Sequence, residues 1–184
     1  MPDSRPFPPG YNPDKDKIEI VEYDPAWPKL FLKEKTALVK ALKKFKGLKI
    51  EHFGSTSVPG LAAKPVIDIM VAVQSFDLWP RLVEPLKALD YHYWGTHEDD
   101  MLFIKGIHPL GQKRTHHVHI YEFQGARWKN ELAFRDYLRS HEADARNYES
   151  LKRKLAKAYS HNREAYTKGK NSYIQEVLKK ISLG

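Results

Sequence analysis

EHFGSTSVPGLAAKPVIDIMVAV, residues 51–73, decides the reading of this chain. Lys49–Phe53 reads as a short strand that stops at Gly54. A turn of small residues follows, Gly54-Ser55-Thr56-Ser57-Val58-Pro59-Gly60. Then comes VIDIMVAV at 66–73, apolar and rich in β-branched types, which reads as a buried strand. Its one charge is Asp68. A carboxylate inside an apolar strand needs a cation, a metal or several donors, because burying it alone is expensive. A structural ion pair is one reading of Asp68, and a metal-binding or catalytic carboxylate is the other. The turn offers three hydroxyls beside backbone N–H groups, a nest suited to phosphate. Glycine admits close approach of a phosphate, and Lys64 adds a mobile positive charge. A plain turn is the competing reading.

Upstream, Asp24-Pro25 resembles an N-cap followed by a first-turn proline. Trp27, Leu30, Phe31, Leu38, Leu42 and Phe45 recur at helical spacing, so 25–46 reads as an amphipathic helix ending at Gly47. Downstream, 75–89 is helical in pattern, with Pro85 expected to interrupt it. Residues 91–94, 101–105 and 116–123 read as strands, and 126–140, 142–159 and 163–182 as helices. Gly169 in the last of these signals a packing contact or a break. The order predicts a mixed α/β (α+β) fold with a helical C-terminal appendage. Residues 1–17 hold five of the twelve prolines and read as an extended arm. The expected division is arm 1–17, α/β core 18–125 and basic helical region 126–184.

In His116-His117-Val118-His119-Ile120-Tyr121-Glu122, strand alternation puts His117, His119 and Tyr121 on one face and Glu122 on the other. Two histidines two apart on a strand suit one metal or one phosphate. Beside 66–73 they would approach Asp68, giving two imidazoles and a carboxylate. The alternative is one core histidine and others at the surface. His97-Glu98-Asp99-Asp100 reads as a solvated hairpin loop.

Composition narrows the function classes. The absence of cysteine among 184 residues excludes disulfides, thiolate chemistry and Cys-ligated zinc. No apolar run approaches a membrane span, and the N-terminus shows no secretory h-region, so a cytoplasmic protein is expected. The net charge is +8, and residues 126–184 hold fourteen Lys/Arg against seven Asp/Glu. That balance suits a nucleotide or other phosphorylated small molecule, or, less favoured, nucleic acid bound by the basic helices. No membrane partner is expected.

The segment GSTSVPGLAAKPVIDIM resembles the GrpB family, a group with the nucleotidyltransferase fold. So do VEYDPAWP at 21–28, HHVHIYE at 116–122, LAFRDYLR at 132–139 and REAYTKGK at 163–170. The resemblance runs from about Ile18 to Leu183. It implies a nucleotidyltransferase-like mixed sheet with flanking helices, and an NTP as substrate. In that superfamily a Gly-Ser turn precedes Asp-x-Asp/Glu by about a dozen residues, and the acids hold two Mg²⁺ ions. Gly54-Ser55 and Asp68 match, while Met70 stands where the second acid belongs. The resemblance implies Asp68 and Ser55 as catalytic residues. It also implies Gly54, Ser55, Thr56, Ser57, Lys64 and Lys170 around the phosphates. Mg²⁺ or Mn²⁺ would sit on Asp68, with His117 and His119 as co-ligands. Two alternatives stand beside transfer: a nucleotide-binding module without activity, favoured by Met70, and a nucleic-acid binder.

Overall fold

A computed structural model describes residues 16–97, 100–106 and 113–183. Most of the arm expected over 1–17, and Glu98 and Asp99, lie outside the described residues. Five strands form one sheet: β1 (Lys49–Phe53), β2 (Ile67–Val73), β3 (His92–His97), β4 (Asp100–Lys105) and β5 (His116–Glu122). The order is β1-β2-β5-β4-β3, with β2 and β5 parallel and the other pairs antiparallel. The two strands that carry the chemistry-bearing residues are therefore central neighbours.

One face of the sheet carries Ile67, Ile69, Val71 and Val73 of β2 with Val118 and Ile120 of β5. They pack against Trp27, Phe31, Leu38 and Leu42 of the first helix and its C-terminal turn, and against Leu82 and Leu86. Removing this apolar area from water is the main source of cohesion. The helix α1 (Trp27–Ala41) is shorter than its apolar spacing predicts, because Leu42 leaves helical geometry and the chain continues as turns to Gly47. Asp24 Oδ1 accepts the Ala26 N–H at 2.8 Å, fixing the entry to that helix.

Two further helix expectations need correction. Residues 75–89 are not one helix. A 3-10 segment, Phe76–Leu82, contains Pro80 and leads into α2 (Val83–Lys87). Pro85 sits in the first turn of α2, where no intrahelical donor is lost. The helix expected over 163–182 is two, α5 (Arg163–Lys168) and α6 (Asn171–Leu183). At the break, a Cβ on Gly169 would fall 2.5 Å from Leu155 Cδ2.

The other face of the sheet is half covered. Phe53, Met70, Ala72 and Tyr121 pack with Trp128 of α3 (Ala126–Ser140). Phe134 and Leu138 of α3, Tyr148 of α4 (Glu142–Ala158) and Val177 of α6 form a second core over Val58 and Leu61. The C-terminal helices thus sit over the turn that follows β1. No helix among the described residues is long and apolar enough to cross a membrane.

Candidate functional site

Gly54 takes φ 67° and ψ −175°, a conformation essentially closed to other residues. It brings the backbone so close to β2 that an added Cβ would lie 2.6 Å from Asp68 Oδ2. The bend and the lone strand carboxylate therefore lie directly against one another.

Ser55–Ser57 closes as a single 3-10 turn. The hydroxyls of Thr56 and Ser57 stabilise the turn itself. Thr56 is buried, with its Oγ1 at 3.0 Å from His52 Nε2 and donating to the Val66 carbonyl at 3.3 Å. Ser57 Oγ donates to the Gly54 carbonyl at 2.6 Å. Ser55 is the partly exposed one. From α3, Arg139 donates to the Ser57 carbonyl (2.8 Å from Nη2) and Arg135 to the His52 carbonyl (2.9 Å), bracing the bend.

Register places Asp68 opposite His117 and Met70 opposite His119. His117 Nδ1 lies 3.0 Å from Asp68 Oδ1. Burial pushes the His117 imidazole down to about 3, so it is neutral and Nδ1–H donates to the carboxylate. Burial opposes the charge on Asp68. The His117 hydrogen bond and the positive charges nearby outweigh it and hold the carboxyl well below its ordinary range. His117 Nε2 is buried and has no hydrogen-bond partner among the described residues.

His119 is held differently. Its Nδ1 lies 3.1 and 3.2 Å from the two oxygens of Asp100. Burial disfavours its imidazolium, but Asp100, Asp68 and Glu131 together raise its pKa above the ordinary value. Asp100 corrects the expectation of a solvated acidic loop. It opens β4, is 4% exposed and faces His119. Glu122 is exposed, on the face away from the histidines, as strand alternation requires. One ligand atom from each of Asp68, His117 and His119 lies within 4.8 Å of the others. The two imidazoles and one carboxylate fit one cation.

Three lysines lie within electrostatic reach of Asp68. Lys64 Nζ and Lys170 Nζ lie 5.4 and 4.9 Å from the centre of the Tyr166 ring. Lys170 occupies the break between α5 and α6. Burial drives Lys64 far below its usual value, and the charges of Arg163, Lys170 and Arg114 push the same way. Burial likewise lowers Lys170. Lys152 of α4 is fully buried, donates to the Ala62 carbonyl and is pushed down to about 7 by burial and by Lys170. Asp68 is the nearby carboxylate that favours the charged form of all three. A multiply charged anion would relieve this crowding of positive charge. Arg114 and Arg163 both bind Asp16, which is 3% exposed.

Sequence reasoning did not find Lys152, Asp100, Glu131 or the Asp16 pair. Helical periodicity assigns Lys152 to a solvated basic face, and no local pattern marks the others.

A family model described as GrpB protein matches residues 17–180. The chain belongs to the GrpB family. It is 46% identical over 169 residues to a UPF0157 protein of Pseudomonas aeruginosa, covering 91% of this chain and 69% of that one. It is 38% identical to the UPF0157 protein YqkA of Bacillus subtilis, spanning 46% of that protein's length. A dephospho-CoA kinase of Mycolicibacterium paratuberculosis is 28% identical over 192 residues, and the match covers 46% of it. Among solved structures, the conserved protein GrpB from Enterococcus faecalis superposes with a TM-score of 0.77 at 39% identity, covering 89% of this chain and 96% of that one. The Cid1 poly(U) polymerase with MgGTP bound matches at TM-score 0.53 and 19% identity, over 75% of this chain and 44% of that one. The fold is that of the nucleotidyltransferases. In this GrpB protein Met70, where the resemblance leads one to expect a second acid, is fully buried among Phe53, Ala72, Tyr121 and Trp128.

Proposed function

We propose that this GrpB protein binds a nucleoside triphosphate together with a divalent cation and transfers its nucleotidyl group to an acceptor. The convergence of Asp68, His117 and His119 within 4.8 Å, beside the Gly54-Ser55 bend, carries the reading. Asp68, His117 and His119 hold the cation, which supplies charge neutralisation at phosphate oxygens. Ser55 binds phosphate at the bend. Lys64, Lys152 and Lys170 receive the rest of the phosphate chain, whose negative charge restores their ordinary protonation. Catalysis on this reading is positioning plus charge neutralisation.

A second reading, nucleotide binding without transfer, is favoured by the buried Met70. Nucleic-acid binding by the C-terminal helices has less support. Arg135, Arg146, Arg153, Lys168 and Lys180 are ion-paired with neighbouring carboxylates.

Thermal melts with each NTP, with and without Mg²⁺ or Mn²⁺, test both nucleotide readings, since a ligand that binds only the folded state raises Tm. A Tm unmoved by every nucleotide sinks both. Pyrophosphate release with candidate acceptors separates transfer from binding.

A further inference from the structure

We infer that the cation site of this protein selects a first-row transition ion such as Mn²⁺, Co²⁺ or Zn²⁺ over Mg²⁺, and that Asp100 positions His119 for it. The inference deepens the proposed function and rests on its cation site, but not on its nucleotide. Mg²⁺ prefers oxygen ligands and gives up its waters reluctantly. Here two of the three protein donors are imidazole nitrogens, which suit transition ions. Asp68 takes the Nδ1–H of His117 at 3.0 Å, and Asp100 sits 3.1 Å from Nδ1 of His119. Asp100 fixes the His119 ring and leaves its other nitrogen for the cation, whereas His117 meets Asp68 through Nδ1, the nitrogen on which the cation would replace the shared proton. A carboxylate behind a ligating histidine is the usual way of orienting the ring and raising its basicity. Asp100 is 4% exposed and opens the neighbouring strand on the same sheet face as His119, so it holds the ring while itself shielded from solvent. Met70, two residues along β2 from Asp68, is fully buried and offers no oxygen ligand.

The test is direct metal binding to the chelator-stripped full chain without nucleotide. Titration calorimetry follows Mn²⁺, Zn²⁺ and Mg²⁺, and the visible spectrum of added Co²⁺ reports nitrogen ligation. Binding of Mn²⁺, Zn²⁺ and Co²⁺ at least about tenfold tighter than Mg²⁺ is expected. His119→Gln should abolish the Co²⁺ spectrum, and Asp100→Asn should weaken binding by about 10–100-fold while keeping that spectrum. Melting curves of each variant establish that it is folded. Equal or tighter Mg²⁺ binding overturns the selectivity. An unchanged Co²⁺ affinity in folded Asp100→Asn overturns the role of Asp100. If no cation binds at all, the inference and the cation part of the proposed function fall together. If Co²⁺ binds through the histidines but no nucleotide shifts Tm, the inference stands and the nucleotide reading falls.

Discussion

Gly54 and Asp68 are in contact: the backbone of the bend lies so near the β2 carboxylate that any side chain at 54 would strike Oδ2, at 2.6 Å. Gly54→Ala therefore carries two penalties. The backbone conformation itself costs about 1–3 kcal/mol in a non-glycine residue, and the methyl group displaces Asp68. A lower Tm and loss of metal-dependent stabilisation are expected in thermal melts. A variant that melts and binds metal like the parent would show that the contact is dispensable.

Acid should unfold the protein earlier than surface carboxylates alone would cause. His52 and His117 are neutral in the fold, pushed by burial from 6.5 to about 4 and about 3. The unfolded chain takes up these protons below pH 6.5 and the folded chain does not. Stability is therefore complete above pH 6.5 and is lost as pH falls toward 4 and 3. Each histidine contributes at most about 1.4 kcal/mol per pH unit in that window. Denaturant melts between pH 7.5 and 4.5 check the slope. A flat profile, or one that rises on acidification, contradicts the assignment.

Lys64 and Lys170 share the Tyr166 ring and repel one another. Lys170→Gln removes one charge, so the ligand-free protein should melt higher than the parent. Stabilisation by inorganic tripolyphosphate should fall in the same variant. Differential scanning fluorimetry reads both effects. An undiminished tripolyphosphate shift would place the anion elsewhere.

Asp16 holds Arg114 and Arg163 in a buried triad. Asp16→Asn leaves two guanidinium groups with their neutralising carboxylate gone. Breaking such a buried arrangement costs about 3–5 kcal/mol. Chemical denaturation should show the loss, and a loss below about 1 kcal/mol would mean that solvent or other groups compensate.

The sequence alone determined the strands, the bend, the membership of Asp68 in an apolar strand and the shared face of His117 and His119. These follow from local rules: alternation along a strand, small residues at a turn, one charge in an oily run. It also put Met70 where the resemblance leads one to expect a second acid. Only the tertiary structure decided that β2 and β5 lie side by side, because strand pairing depends on chain segments far apart in sequence. The same holds for Asp100 behind His119, Lys152 under the loop at Ala62, and the two arginines on Asp16. Each contact spans from 19 to 147 residues. Burial, not residue type, then set the charge states: it made His117 neutral and the clustered lysines easy to deprotonate. No local pattern encodes burial of that kind, since it depends on which helices come to lie over the sheet.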